Sequence, residues 1–294
     1  MRRGRGSADR LTNTSSRITY VIASPAYTPI VKPEGFSRMI VEFVGPAGSG
    51  KTTFAHALCY RLREDGYPAR VVLSHQPARR NSPMDAGGII AAAQRVARAM
   101  ATPLAMACQP FANAVNFRIS ASLVRTLPPQ NAIWLIRFSQ YVLRLTRAWE
   151  QSLASEEIVI FDQAFVQAVS SLALFNGTAD EISIARALDL IPMPDLVVRI
   201  DAPQRLREDR LNDRLRHLSF AERLFEASLN TNLQSAPVIE RICSLLEARG
   251  RSIIEVNASE RRSLGLAIHG IERQILGKLS TQWNGYARRS SPRV

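Results

Sequence analysis

The sequence predicts a doubly wound α/β fold, a five-stranded parallel sheet with helices on both faces. Three observations predict it. Short strand-type apolar runs alternate with helix-type stretches along the chain. Runs such as Ile158-Val159-Ile160-Phe161 are continuously apolar rather than alternating, which marks strands covered on both faces. Gly45, Asp162, Asp201 and Asn257 fall at the carboxyl ends of these runs, where open parallel sheets place their ligands.

Taken in order, residues 1–38 come first, rich in Arg, Ser, Thr and Pro and without a secretory apolar segment. They are expected to be a disordered basic extension or an over-extended start, with Met39 as the natural initiator; the composition also matches an organelle transit peptide. Met39-Ile40-Val41-Glu42-Phe43-Val44 is the first strand. Thr53 to Glu64 forms a helix, stopped by Gly66. Ala69–Ser74 is the second strand. His75 to Glu157 carries no strand signal; Met84–Thr102, Pro110–Thr126 and Gln130–Ser155 read as helices separated by prolines. The last is amphipathic, with Trp134, Phe138, Tyr141, Leu145 and Trp149 at three- and four-residue steps, a stripe expected in the core. Glu157–Asp162 is the third strand, followed by helices at Phe165–Phe175 and Asp180–Leu190. Asp195–Ile200 is the fourth strand. Pro203 opens an arginine-rich helix, and a further helical region spans about Ser219 to Ala248. Ser252–Val256 is the fifth strand, and a helix from Glu260 to Leu276 precedes a polar tail.

Between the first strand and its helix stands Gly45-Pro46-Ala47-Gly48-Ser49-Gly50-Lys51-Thr52, a G-x-x-x-x-G-K-[ST] phosphate-binding loop. Its glycines let backbone N–H groups turn inward on a polyphosphate. The helix that follows presents its positive end to the same anion, with Thr53 in its first turn. Lys51 is expected to reach the β- and γ-phosphates from a solvent-open loop, and Thr52 to hold Mg²⁺. Lysine is scarce here: 35 arginines accompany only Lys32, Lys51 and Lys278. The first and last fall in polar end segments, which leaves Lys51 as the lysine of the expected core. An arginine fork cannot replace a compact ammonium in a tight loop.

Asp162 ends an apolar strand of Walker-B type, placed to bind Mg²⁺ through water or to accept a proton from an attacking hydroxyl. Arg207, Arg210 and Arg214 share one helix face, and arginine forks match the spread charge of a transferring phosphoryl group. Asp209 and Asp213 alternate with them, the pattern of a solvated face. Asp201, followed by Ala-Pro, reads as a turn residue.

The loop Gly45–Thr53, the run Ile158–Asp162 and the stretch Asp195–Arg214 together resemble thymidylate kinase and related nucleoside and nucleotide kinases. Pro194-Asp195-Leu196-Val197-Val198-Arg199-Ile200-Asp201 followed by Glu208-Asp209-Arg210 is similar to that family's PDLxxxLD strand and its ER-type helix leading into a lid. The resemblance spans residues 39–277 in layout and implies a P-loop NTPase fold that uses ATP and Mg²⁺. It assigns catalysis to Lys51, Asp162, Arg210 and Arg214, donor binding to Gly45–Thr53, and metal to Thr52 and Asp162. Three positions depart from the family: Val44 stands for its Glu, Ala47 for its Asp, and Gln163 for the Arg that holds the acceptor phosphate. The donor machinery is present; the thymidylate-reading residues are not.

The expected organisation is a basic extension at 1–38 and a kinase-like domain at 39–277, with a helical acceptor-side insert at 75–157 and a lid region at 203–218. A basic tail at 278–294 follows. Net charge is +13, and about two thirds of it lies in the two end segments, so the basicity points to solvated tails more than to a nucleic-acid surface. No apolar run reaches membrane-span length. Three scattered cysteines lack metal spacing and suit a reducing, cytoplasmic compartment. The reading is an ATP-dependent phosphotransferase acting on a small-molecule or nucleotide acceptor, with room for a homodimer. The alternative is a P-loop ATPase or nucleotide switch acting on a protein or nucleic acid. Residues 1–38 show no amphipathic period, so a chain starting at Met39 is expected to unfold within a few degrees of the full chain in a thermal melt. A large drop would mean that the segment packs on the core.

Overall fold

Strand order and loop placement decide the architecture. The computed structural model describes residues 38–74, 114–217, 229–258 and 261–290. All of these belong to one compact unit, Val31–Val294. The helix expected at Met84–Thr102 lies outside the described residues, as does the extension 1–37. The elements are β1 (Met39–Val44), α1 (Lys51–Glu64), β2 (Ala69–Val72), α2 (Ala114–Thr126), α3 (Ala132–Leu153), β3 (Ile158–Phe161), α4 (Phe165–Asn176), α5 (Glu181–Asp189), β4 (Leu196–Asp201), α6 (Gln204–His217), α7 (Leu229–Leu233), α8 (Ser235–Ala248), β5 (Ile253–Asn257) and α9 (Arg261–Ser290).

The five strands form one sheet in the order β2-β3-β1-β4-β5, and every neighbouring pair is parallel. The expected fold class is therefore the observed one. The order places the carboxyl ends of β1 and β3 side by side, with Glu42 in register with Phe161. The chain leaves β1 toward one edge of the sheet and leaves β3 toward the other, which makes this the switch point at which such sheets bind ligands.

Side chains along each strand alternate between two apolar layers. Ile40, Val44, Val159, Phe161 and Val197 pack with α3, α4, α5 and α8. Met39, Val41, Phe43, Ile158, Ile160, Val198 and Ile200 pack with α1 and α9. The continuous apolar runs are thus explained by burial on both faces. The α3 stripe is core as expected: Phe138, Leu145 and Trp149 are buried, and Trp134 and Tyr141 pack partly buried against them. Trp149 contacts the rings of Phe161 and Phe165.

Some boundaries differ from the sequence expectation. The helical region after 219 contains two helices within its described part, α7 and α8. The last helix does not stop before Gly277 but runs on to Ser290, through the segment read as a tail. The reason is packing: Ile268, Ile271 and Ile275 are buried and Leu279 continues their stripe, so tertiary contact carries the helix past Gly277. Among the described residues no helix is long and apolar enough to cross a membrane.

One charged residue interrupts β1. Glu42 is fully buried, on the side of the sheet where α4 packs. The N-cap position of α4 is Ala164, which has no side chain to offer. The Glu42 carboxylate takes that place: it accepts hydrogen bonds from the N–H groups of Ala164 (3.0 Å), Val166 (3.2 Å) and Gln167 (2.8 Å). Burial raises its pKa from 4.5 to about 7, against the pull of those three N–H groups. A carboxyl with a raised folded-state pKa contributes stability that is complete below pH 4.5 and lost as pH rises through about 7. The loss amounts to roughly 3 kcal/mol at most. Denaturant unfolding should therefore show less stability at pH 8 than at pH 5. Glu42→Gln, which cannot ionise, should lose this pH slope. Equal slopes in the two proteins would exclude Glu42 as its source.

Candidate functional site

The loop after β1 is shaped by close approach. A Cβ on Gly45 would lie 2.2 Å from the Ile200 carbonyl oxygen of β4. A Cβ on Gly48, where φ is +78°, would lie 3.0 Å from the Arg207 carbonyl oxygen of α6. Only glycine lets the loop pass between these backbones. Ser49 N–H donates to Pro46 O at 3.2 Å, closing the turn, and α1 begins at Lys51.

Four further contacts fix the loop. Gly45 N–H donates to Gln167 Oε1 (3.0 Å), so the helix capped by Glu42 also holds the start of the loop. Ala47 N–H donates to Ser235 Oγ (3.3 Å), and that hydroxyl donates to Asn232 O (2.5 Å). Arg210 Nη1 donates to Gly48 O (3.0 Å) and Ser49 O (3.2 Å). Lys51 Nζ donates to Gly45 O (2.7 Å) and Pro46 O (3.0 Å).

Lys51 corrects one expectation. Its side chain is not solvent-open but only 6% exposed, folded back over its own loop. The cause is local: the ammonium donates to the two nearest loop carbonyls. Burial pushes its pKa down from 10.5 to about 8; Asp162 opposes the shift and Arg214 reinforces it.

Asp162 follows β3 and is 3% exposed. Its Oδ2 accepts from the Thr52 hydroxyl at 2.9 Å and its Oδ1 from Ser74 N–H at 2.8 Å. The structure thus brings together Lys51, Thr52 and Asp162, three of the residues singled out from sequence. Thr53 is exposed on the first turn of α1.

The three arginines of α6 do not behave as one face. Arg207 is buried, with Nε donating to Ala202 O at 3.1 Å and Nη1 without a hydrogen-bond partner. Arg210 lies on the loop. Arg214 is exposed, near enough for its charge to bear on Lys51. Asp201 serves as the expected turn residue, its Oδ1 accepting from Ala202 N–H at 2.8 Å.

Two buried donors beside the loop have no partner, Arg207 Nη1 and Ser49 Oγ. Unpaired buried donors are costly, and an anion seated on the loop is the kind of group that would satisfy them. On the other side, the Tyr141 hydroxyl of α3 is also buried and unpaired. Burial first, then the charges of Glu42 and Asp162, push its pKa up, so it keeps its proton.

Sequence reading missed Glu42, Gln167 and Ser235. Glu42 had a signal, a lone carboxylate inside a continuous apolar strand. Gln167 and Ser235 had none, since their contacts to the loop span 122 and 188 residues.

The sequence matches no protein-family model and no curated protein. Among solved structures the chain is similar to thymidylate kinase from Ehrlichia chaffeensis, at 13% identity over 81% of this chain and 99% of that one, with a TM-score of 0.43. It is also similar to deoxyadenosine kinase from M. mycoides. The structure with dCMP and dCDP matches at 12% identity over 81% and 100%, TM-score 0.42. The structure with dATP matches at 11% over 80% and 99%, TM-score 0.43. The fold assignment itself stands on the strand order and the loop.

Gly45→Ala is expected to destabilise the protein by about 2 kcal/mol or more, because the new methyl group must displace β4 backbone rather than a flexible side chain. Thermal and denaturant unfolding would check this; unchanged stability would mean that the loop and β4 are less tightly opposed.

Proposed function

We propose that the protein is an ATP-dependent phosphotransferase that moves a phosphoryl group to a small acceptor. The observation that carries the reading is α6: one helix packs its backbone on Gly48, lays Arg210 on the loop and brings Arg214 toward Lys51. A loop that merely binds a nucleotide needs no such row of cations; a transferring phosphoryl group does.

In this reading the loop amides of 45–52 hold the donor phosphates, and Lys51 exchanges its two carbonyls for phosphate oxygens. Arg207 and Ser49 offer their unpaired donors from beneath. Thr52 and Asp162, already joined, would hold Mg²⁺. That ion, when bound, supplies charge neutralisation at the phosphate oxygens. Both Asp162 oxygens are engaged, one by Thr52, and this favours a metal-side role over proton abstraction from the acceptor. Arg210 and Arg214 meet negative charge on the phosphoryl group. The acceptor lies on the α3 side, where the Tyr141 hydroxyl is available to its polar groups. It is a nucleotide, a nucleoside or another small hydroxyl compound.

The test is acceptor-dependent ADP release, screened over nucleosides, nucleotides and sugars. Lys51→Ala should abolish turnover. Asp162→Asn, which keeps shape but removes charge, should lower kcat by about 100-fold with little change in ATP affinity. Arg214→Ala should behave similarly, with partial rescue by Arg214→Lys. Full activity in both Asp162→Asn and Arg214→Ala would sink the kinase mechanism and leave a loop that only binds.

A further inference from the structure

At the edge of the sheet opposite the loop, a groove of about 660 Å³ opens between the start of β4, the turn before β5 and α9. Its lining is Met193, Pro194, Asp195, Arg251, Arg273, Gln274, Gly277 and Lys278. Three cations therefore face one carboxylate. That carboxylate is partly committed, since Asp195 Oδ2 accepts from Ile40 N–H at 2.7 Å. Arg251 and Arg273 are exposed, and neither has a side-chain hydrogen bond or ion pair among the described residues.

Lys278 is not a tail residue. Its Nζ donates to Asp195 O at 3.1 Å and to Ser252 Oγ at 3.2 Å, which anchors it to the groove wall with one N–H still to give. In a chain with 35 arginines and three lysines, the second structurally committed lysine stands here. A compact ammonium meets both oxygens as a point charge.

Gly277 also lines the groove. It sits inside α9 between Arg273 and Lys278, and a Cβ there would meet nothing within 4 Å. Glycine weakens a helix, and no packing contact requires it at this position. A larger side chain there would project into open space at the groove.

We propose that this groove is a second anion site, separate from the phosphate loop, that takes a small phosphorylated ligand. Arg251 and Arg273 supply two-pronged contacts to phosphate oxygens and Lys278 a point charge. Met193 and Pro194 form an apolar wall for the rest of the ligand. The volume is that of a small-molecule site, and three cations beside one short apolar wall suit a phosphate monoester. Its place on the amino edge of the sheet lets it be occupied together with the loop.

The experiment uses the full chain carrying Lys51→Ala, so that the loop is disabled. Inorganic phosphate and ribose 5-phosphate are titrated by calorimetry, and a 20-nucleotide single-stranded RNA is titrated in parallel. Both phosphates should bind, and adding Arg251→Gln with Arg273→Gln should weaken them at least tenfold without changing the melting temperature. Gly277→Leu, which keeps every charge, should exclude ribose 5-phosphate. Absence of phosphate binding in the Lys51→Ala protein would overturn the proposal. So would binding indifferent to the two arginines, or RNA binding through them without binding of either small phosphate.

Discussion

The buried carboxylate of Glu42 is the constraint on which the site rests. An ionisable group in the middle of a central strand is costly to desolvate, and three backbone N–H groups at the start of α4 meet it there. This ties β1 to α4 at one point and in one register. The same turn of α4 carries Gln167, whose side chain holds Gly45 N–H. The first residue of the loop is therefore placed by a chain of bonds that begins inside the sheet. Loss of the carboxylate would leave three orphaned donors and free the loop from its helix together.

Around that fixed start the loop is held from several directions. β4 presses on Gly45, α6 on Gly48, and Ser235 at the head of α8 holds Ala47. Lys51 completes the arrangement by turning inward onto its own carbonyls. The loop's curvature is held by hydrogen bonds from its own residues and from neighbouring elements. Preorganisation of this kind lowers the ordering cost of anion binding, at the expense of the internal bonds that an anion must replace.

Much of this was legible in the sequence, for identifiable reasons. The five strands and their parallel arrangement follow from continuous apolar runs, and the loop from the spacing of two glycines, one lysine and one threonine. Asp162 was legible because a carboxylate at the end of an apolar run has little to do in a core. What was not legible depends on tertiary contact. The last helix reads as ending at Leu276, but the Ile268–Ile271–Ile275–Leu279 stripe carries it further. Lys51 reads as an open side chain, because burial by the surrounding loop has no local signature. Arg207, Arg210 and Arg214 read as sharing one helix face from their spacing. Only the approach of α6 to Gly48 separates a buried arginine from an exposed one.

Asp162 divides its two oxygens between opposite sides of the crevice. One is taken by Thr52, on the helix that follows the loop; the other by Ser74, where the chain leaves β2 toward the long insert. A group that recruits Thr52 changes the partners of a carboxylate that also anchors the root of the insert. The two sides of the crevice thus meet at a single side chain, and a change at Thr52 bears on the carboxylate that holds Ser74.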